Sequence, residues 1–422
     1  MSGSRAPERP RADAPVRIER LATGGDGVGK LEDGRTVFVP RTAVGDLVEL
    51  AELRMHKRFA RGQVGHLVEE GPGRVAPRCR HYVQDRCGGC QLQHLDAARQ
   101  VAAKRSFIGD SLRRLGKLDV ADPEVVPSEA EFGYRTKVTL AKGKDGRLGL
   151  HREGEAGRVF ALERCELIAP KLQELWERLR PLQSHLPRET ERVVLRLDRD
   201  GQAHIIVETS GTQVWPAGPL GPLAVVWWRP AGGSPRVVAG GEGRTAYPAT
   251  VFEQVNPEMG MKARAFAVEQ AGEVRGRHCW DLYAGIGETT EMLLDRGATV
   301  ESIEGDRRAV ELAARRTLDA RRTTHDVRQL AGKVEDALSQ LRTPSVVITN
   351  PPRVGMEERA VVGIRAARPK RIVYVSCDPA TLARDVARLG EGWRVASVRG
   401  FDLFPQTAHV ETVLALVRDG AA

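Results

Sequence analysis

The feature that most constrains the fold is the segment HCWDLYAGIGETTEMLL in the last third of the chain. Its apolar start predicts a β-strand that ends near Asp281, and Gly285 and Gly287 predict a loop that leads into a helix. Such a loop at a helix N-terminus lets the backbone approach a ligand closely. Because strand-like and helix-like runs alternate through residues 249–422, this region predicts a doubly wound α/β domain.

Two further strand ends supply polar residues to the same predicted sheet edge. The run ATVESIEGD ends at Glu304, where a carboxylate can bind ribose hydroxyls. The third glycine of the dinucleotide fingerprint is missing, so the combination favours a class I S-adenosylmethionine fold (Rossmann-like) over a nicotinamide site. The run SVVITNPPRVG brings Asn350 and two prolines to this edge, with an ordinary proline turn as the alternative. Arg353 stands where adenine N6-methyltransferases carry an aromatic residue, which argues against that chemistry.

The run KRIVYVSCDPATLARD predicts a buried strand that delivers Cys377 to this edge. A free cysteine is most often a small core residue, but here the strand gives way to polar residues and a proline. Thiolate addition to carbon 6 of uracil would activate carbon 5 for attack on a methyl sulfonium, after which a base must remove the carbon 5 proton. Glu411 suits that task if burial raises its pKa, although alone it reads as a surface residue at a strand start.

The N-terminal part predicts a disordered arm followed by a small barrel. Residues 1–14 are polar and rich in proline and arginine. Residues 15–75 consist of short strand-like pieces broken by glycine turns, which is typical of an OB-like β-barrel. These pieces resemble the TRAM module, a small RNA-binding barrel, with a generic barrel as the alternative. Four basic residues of this region could contact a phosphate backbone: Arg54, Lys57, Arg58 and Arg61.

Residues 76–248 predict a β-rich α+β central domain with a helix at about 95–115. Four of the six cysteines in the chain lie here and look like a four-thiolate metal site: Cys79, Cys87, Cys90 and Cys165. Zinc and an iron–sulfur cluster are both compatible with four cysteines. Cys279, at the start of the first cofactor strand, is expected in the core.

The charge balance suits a polyanionic partner. Lys and Arg number 65 against 56 Asp and Glu, for a net charge of +9. This favours nucleic acid as the partner, although a basic protein without such a partner is the alternative. The sequence has neither a signal peptide nor a run of about 18 apolar residues, so we expect a cytoplasmic protein with no membrane span. Nothing indicates an obligate protein partner.

Taken together, these motifs resemble the RNA uracil-5-methyltransferase family over nearly the whole chain. The most specific are DLYAGIG, NPPR, SCDPATLARD and FPQTAHVETV. The resemblance implies S-adenosylmethionine as cofactor, Cys377 as nucleophile and Glu411 as base. Family members usually carry Asp in place of Asn350 and commonly Asn in place of Glu288. The expected cofactor-binding residues are Gln254, Tyr283, Gly285, Gly287, Glu288, Glu304 and Asn350.

The resemblance also implies that the four cysteines hold a 4Fe-4S cluster, although the first gap in the family is usually shorter, and we expect a structural role for it. Barrel and cluster together resemble the rRNA-directed members more than the shorter tRNA enzyme. We therefore expect 23S rRNA as the partner, with tRNA as the alternative. The target base must leave its stack to reach Cys377, which favours single-stranded loops. Two rival hypotheses are cytosine-C5 methylation and a non-catalytic RNA-binding module.

Overall fold

A computed structural model describes residues 14–241, 249–319 and 326–420. It contains a closed barrel, a seven-stranded sheet and an eight-stranded sheet. The expected disordered arm, apart from residue 14, lies outside the described residues, as do residues 242–248 at the expected domain boundary. Within the described ranges, no helix is long and apolar enough to cross a membrane.

The first unit is a barrel closed in the order β1-β2-β3-β5-β4. Its core holds residues that alternate along the strands, such as Val16 and Ile18 of the first strand and Val37 and Val39 of the third. The predicted small barrel is therefore confirmed. Its strands are β1 (Val16–Leu21), β2 (Gly27–Lys30), β3 (Thr36–Val39), β4 (Leu47–Met55) and β5 (Phe59–Glu69).

The second unit is a mixed sheet with the order β13-β12-β11-β10-β7-β8-β9. Helix α3 (Pro170–Leu179) packs on it and buries Trp176 completely. The strands are β7 (Lys137–Lys142), β8 (Leu148–Arg152), β9 (Glu155–Ala161), β10 (Thr190–Leu197), β11 (Ala203–Thr209), β12 (Val225–Arg229) and β13 (Arg236–Ala239). A short helix α1 (Arg80–Gln84) precedes it and begins directly after Cys79.

Two elements between the barrel and this sheet pack on the third unit. Helix α2 (Ala97–Arg114) contributes Ile108 and Leu112 to the core of that unit. Strand β6 (Val125–Val126) adds to its sheet as an edge strand. The predicted helix at 95–115 is therefore present, but part of residues 76–248 structurally belongs with residues 249–422.

The third unit is an eight-stranded sheet with the order β16-β15-β14-β17-β18-β20-β19-β6. Strands β14 to β18 run parallel, while β20 runs antiparallel between β18 and β19. The strands are β14 (His278–Leu282), β15 (Thr299–Glu304), β16 (Val327–Ala331), β17 (Val346–Thr349), β18 (Arg371–Ser376), β19 (Trp393–Phe401) and β20 (Glu411–Arg418).

Helices connect these strands, and the central strands are buried on both faces as expected for a parallel sheet. Cys279 is completely buried on β14, in agreement with its expected core position. The predicted doubly wound α/β domain is confirmed. The helices are α4 (Pro257–Gln270), α5 (Glu288–Asp295), α6 (Arg307–Asp319), α7 (Val334–Ala337), α8 (Glu358–Ala367) and α9 (Pro379–Leu389).

Candidate active site

The glycine loop lies between β14 and α5. Gly287 caps α5 with a φ of +81°, and a Cβ there would lie 3.0 Å from the Cβ of Ala313, so conformation and space both favour glycine. The backbone N–H of Gly285 donates to Glu304 Oε2 over 2.8 Å. Glu304 ends the neighbouring strand β15, so the structure brings the glycine loop and the predicted ribose-binding carboxylate together.

Asn350 and Tyr283 extend the same edge. Asn350 directly follows β17, the other neighbour of β14, and its N–H donates to the carbonyl of Leu282 over 3.1 Å. Tyr283, the next residue of the loop, adopts a φ of +61°, a backbone conformation that non-glycine residues seldom adopt. Gln254 packs against Gly260 of α4, where an added Cβ would lie 2.9 Å from its side chain.

The carboxylate of Glu288, a predicted cofactor contact, is engaged in ion pairs with arginine side chains. Its carboxylate forms ion pairs with Arg264 of α4 and with Arg199, which follows β10 of the central sheet. The Arg199 guanidinium also pairs with Glu253. Glu288 therefore joins the central sheet to the start of α5. Its local sequence carries no signal for this, because both arginines lie far from it in the chain.

For Asp281, at the end of β14, the sequence predicts only a strand end. Its side chain is buried and accepts a hydrogen bond from Thr290 Oγ1 over 2.6 Å. Burial raises the pKa of Asp281 to about 7, although the Thr290 hydrogen bond favours the charged form. A buried carboxyl with this pKa lies directly beneath the glycine loop.

Cys377 and Glu411 meet at the ends of adjacent antiparallel strands. Ser376 of β18 pairs with Thr412 of β20, so the next residues along the ladder, Cys377 and Glu411, lie opposite each other. Cys377 is partly exposed, whereas Glu411 is 2% exposed. The structure thus brings the predicted nucleophile and the predicted base together at one sheet edge.

Both groups have raised pKa values. Burial raises the pKa of Glu411 to about 7, and its Oε2 has no hydrogen-bond partner among the described residues. Burial and then the negative charge of Glu411 raise the pKa of Cys377 to about 11, while Arg353 acts to lower it. Near neutral pH the thiol is protonated in the absence of substrate, and the carboxyl titrates.

Two neighbouring groups shape this edge. Asp378 caps α9 by accepting from the N–H groups of Ala380 and Thr381, both over 3.0 Å, so its carboxylate is used structurally. Burial lowers the pKa of His409 to about 4, so its imidazole is neutral near neutral pH. His409 is therefore an uncharged neighbour of the sheet edge that carries Cys377 and Glu411.

The four predicted metal-binding cysteines line one cavity of about 310 Å³ beneath the central sheet. All four are free thiols, and burial raises the pKa values of Cys87 and Cys90 to about 12. Arg135 also lines this cavity, and its buried Nε has no hydrogen-bond partner among the described residues. In the described ranges, no group of three or more His, Cys, Asp or Glu side chains has metal-binding geometry. The donor set suits a thiolate-held group, but the thiols are not arranged around a common centre.

The predicted basic residues of the barrel lie around the turn between β4 and β5. They are exposed to solvent, and Arg61 also lies 3.5 Å from Asp26. His56 stacks on Phe59 in the same turn with ring centroids 4.4 Å apart. Exposed cations beside aromatic rings can contact phosphates and bases. The residues concerned are Arg54, Lys57, Arg58 and Arg61.

Comparisons with known proteins show which family models and relatives the chain matches. A family model described as tRNA (Uracil-5-)-methyltransferase matches residues 238–419, and a TRAM domain model matches residues 10–64. The chain is 32% identical to a 23S rRNA (uracil(1939)-C(5))-methyltransferase RlmD of Azoarcus sp., over 95% of this chain and 99% of that protein. It is 30% identical to the Pseudomonas putida protein of that name, over 97% of this chain and 95% of the relative.

Among solved structures, the fold matches that of Pyrococcus abyssi tRNA (uracil-54, C5)-methyltransferase in complex with S-adenosyl-L-homocysteine. The TM-score is 0.71 at 24% sequence identity, and the match covers 96% of this chain and 99% of that chain. The match to that solved structure therefore extends over all three units of this chain.

Proposed function

This chain belongs to the RNA uracil-5-methyltransferase family, and we propose that it methylates carbon 5 of a uridine in 23S rRNA through covalent addition of Cys377 to carbon 6. It is an S-adenosylmethionine-dependent RNA methyltransferase. The observation that carries the covalent mechanism is the position of Cys377 opposite Glu411, at the same sheet edge as the glycine loop. A nucleophile and a buried carboxyl with a pKa near 7 are the two groups that this chemistry requires.

In the proposed reaction, the Cys377 thiol first loses its proton to water, and the resulting thiolate adds to carbon 6, so that carbon 5 becomes an enolate carbon. Carbon 5 then takes the methyl group from S-adenosylmethionine, the methyl-donating substrate, as the S–CH3 bond breaks and S-adenosylhomocysteine leaves. Glu411 then removes the carbon 5 proton, and elimination returns the thiolate. Arg353 supports the first step because its charge acts to lower the pKa of Cys377.

We assign the methyl donor to the edge formed by β14, β15 and β17. Its proposed contacts come from the loops and strand ends that meet there, because ligands of open α/β sheets bind at the carboxyl ends of the strands. Glu288 contributes by joining α5 to Arg199 and Arg264. The remaining proposed contacts are Gln254, Tyr283, Gly285, Gly287, Glu304 and Asn350.

Four further assignments complete the proposal. The barrel binds RNA phosphates through its exposed basic turn, residues 76–248 shape the RNA surface, and the protein acts in the cytoplasm. The four cysteines hold a 4Fe-4S cluster, whose contribution when bound is to cross-link the start of α1, the cysteine segment (residues 87–94) and the loop before α3. The presence of all four free thiols in the lining of one cavity supports this assignment.

The relatives named as 23S rRNA enzymes support the choice of RNA, since the similarity extends over nearly the full chain. Uridine in tRNA is the second candidate, because the family model matching residues 238–419 is described for tRNA. Methyl transfer from labelled S-adenosylmethionine to 23S rRNA and to total tRNA distinguishes them, with the product nucleoside identified by mass.

The same assay tests the mechanism with Cys377→Ala and Glu411→Gln. We expect 5-methyluridine in 23S rRNA from the wild type and none from Cys377→Ala. Full activity of Cys377→Ala, or a methyl group at another atom, would contradict covalent catalysis. A product confined to tRNA would contradict only the choice of RNA.

A further inference from the structure

The loop that precedes Glu411 is held in place by other parts of the chain. We define the base loop as residues 402–410, which connect β19 to β20. Seven of its nine residues are buried, so its conformation depends on partners outside the loop. Those partners contact residues that lead directly to Glu411.

The cysteine segment supplies one set of these partners. The carbonyl of Gln406 accepts from the N–H groups of Gln91 and Leu92, over 3.2 and 3.0 Å. In return, Gln91 Oε1 accepts from the N–H of Ala408 over 3.2 Å, while Gln91 Nε2 donates to the carbonyl of Gly88 over 2.8 Å. Gln91 directly follows Cys90, so the chain that carries two candidate metal ligands is hydrogen-bonded to the base loop.

Gln406 is held in a seldom-adopted conformation. Its φ is +70°, and it is 2% exposed. The amide of Gln100 on α2 accepts from the Gln406 N–H over 2.8 Å and donates to Gln406 Oε1 over 3.0 Å. A non-glycine residue with positive φ persists only where its surroundings overdetermine it, and such residues cluster at functional sites. These contacts therefore fix the path of the loop five residues before Glu411.

Other groups complete the anchoring. Lys104 Nζ donates to Asp402 Oδ1 over 2.6 Å and to the carbonyl of Phe404 over 3.1 Å, and Tyr134 Oη donates to the carbonyl of Pro405 over 3.0 Å. Gly25 of the barrel also packs here, since an added Cβ would lie within 3.2 Å of both Gln91 and Ala408. Barrel, cysteine segment and base loop thus meet at one junction.

We propose that Gln91 and Gln406 are positioning residues that place Glu411 for proton removal. The inference rests on the proposed function, because it concerns the step that ends the reaction. In this step the C5–H bond breaks and the proton passes to Glu411. The electron pair of that bond forms the C5–C6 double bond as the S–C6 bond breaks, which releases the Cys377 thiolate. A displaced carboxylate slows this step and leaves earlier steps intact.

The test measures how much methylated RNA stays bound to the enzyme. Wild type, Gln91→Ala, Gln406→Gly and Glu411→Gln react with methyl-labelled S-adenosylmethionine and an RNA substrate that the wild type methylates, and denaturing gels separate adduct from free RNA. Gln406→Gly removes the side chain but tolerates positive φ. We expect kcat to fall on the order of tenfold in both glutamine variants. The labelled adduct should increase towards the amount seen with Glu411→Gln, and KM for S-adenosylmethionine should stay unchanged.

Two variants serve as controls. Gln183→Ala removes a glutamine that bonds the backbone of Leu148 in β8 and of Arg180 just after α3, away from the base loop, and should release product as the wild type does. Gln91→Glu keeps an acceptor for Ala408 and should recover part of the lost rate. Thermal melting checks that each variant folds. If Gln406→Gly does not fold, the result for Gln91→Ala alone decides the test.

The outcomes separate this inference from the proposed function. If Glu411→Gln accumulates adduct but Gln91→Ala releases product normally, the positioning role is wrong and the covalent mechanism stands. A lower kcat without additional adduct would also overturn the positioning role. If Cys377→Ala remains active and Glu411→Gln forms no adduct, the proposed function itself fails.

Discussion

The pKa of Glu411 makes the stability of the protein depend on pH in a way that one substitution can reveal. Burial raises this pKa from 4.5 to about 7, so the folded state favours the neutral carboxyl. A raised pKa contributes stability that is fully present below pH 4.5 and is lost as pH rises through 7. Glu411→Gln removes the titration, so its advantage over the wild type should grow with pH.

The size of this effect follows from the shift. A shift of this size corresponds to about 3 kcal/mol in total, of which about 2–3 kcal/mol develops between roughly pH 5 and pH 8.5. For a unit of about 170 residues this equals a change in relative melting temperature of roughly 4–12 °C. Any constant cost of burying the glutamine amide cancels when the two pH values are compared.

The assay is thermal melting of the wild type and Glu411→Gln at both pH values without substrate. Glu391→Gln, which changes an exposed carboxylate near the start of β19, is the matched control and should show no such trend. The reasoning is refuted if the difference between wild type and Glu411→Gln is the same at both pH values. The wild-type rate of product release should also rise as pH passes through about 7, because Glu411 must be deprotonated to act as the base.

Three other changes test separate parts of the structure. Lys104→Met leaves Asp402 buried without its partner and should destabilise the protein by about 3–5 kcal/mol, measured by denaturant unfolding; unchanged stability would contradict a buried ion pair. Thr290→Val removes the hydrogen bond to Asp281 and should cost about 1–3 kcal/mol. That loss should be larger above pH 7, where Asp281 is charged, and a loss independent of pH would contradict its raised pKa. Replacing the exposed barrel residues Arg54, Lys57 and Arg58 by alanine should weaken RNA binding and flatten its salt dependence, while KM for S-adenosylmethionine stays constant. An unchanged salt dependence would exclude these residues from the RNA contact.

Local sequence patterns predict the strands and the helix at the proposed cofactor-binding edge of the sheet. The strand before Gly285, the helix after Gly287 and the strand ending at Glu304 all have periodicities and turn residues that reflect local geometry. The adjacency of Cys377 and Glu411 was not readable from periodicity. It depends on β20 inserting between β18 and β19, and only the requirements of the chemistry and the resemblance placed the two residues together.

Interactions between distant residues account for what the sequence did not predict. Glu288 was predicted as a cofactor contact, a role that stays a prediction, yet its ion pairs with Arg199 and Arg264 could not be read from neighbouring positions. The contacts of Gln406 with Gln91 and Gln100 join residues about 300 positions apart. Such pairings are set by the packing of whole units, for which a single sequence gives no local signal.

Strand β6, only two residues long, has a consequence for dividing the protein into pieces. Val125 and Val126 pair with Gly400 and Phe401 at the end of β19, and Ile108 and Leu112 of α2 fill the core beneath. A fragment beginning at residue 249 would leave that end of β19 without its neighbouring strand and would expose an apolar patch. Exposed edges of this kind recruit strands from other molecules, so such a fragment would aggregate. To remain monodisperse, a fragment that contains the third unit must therefore begin at or before α2.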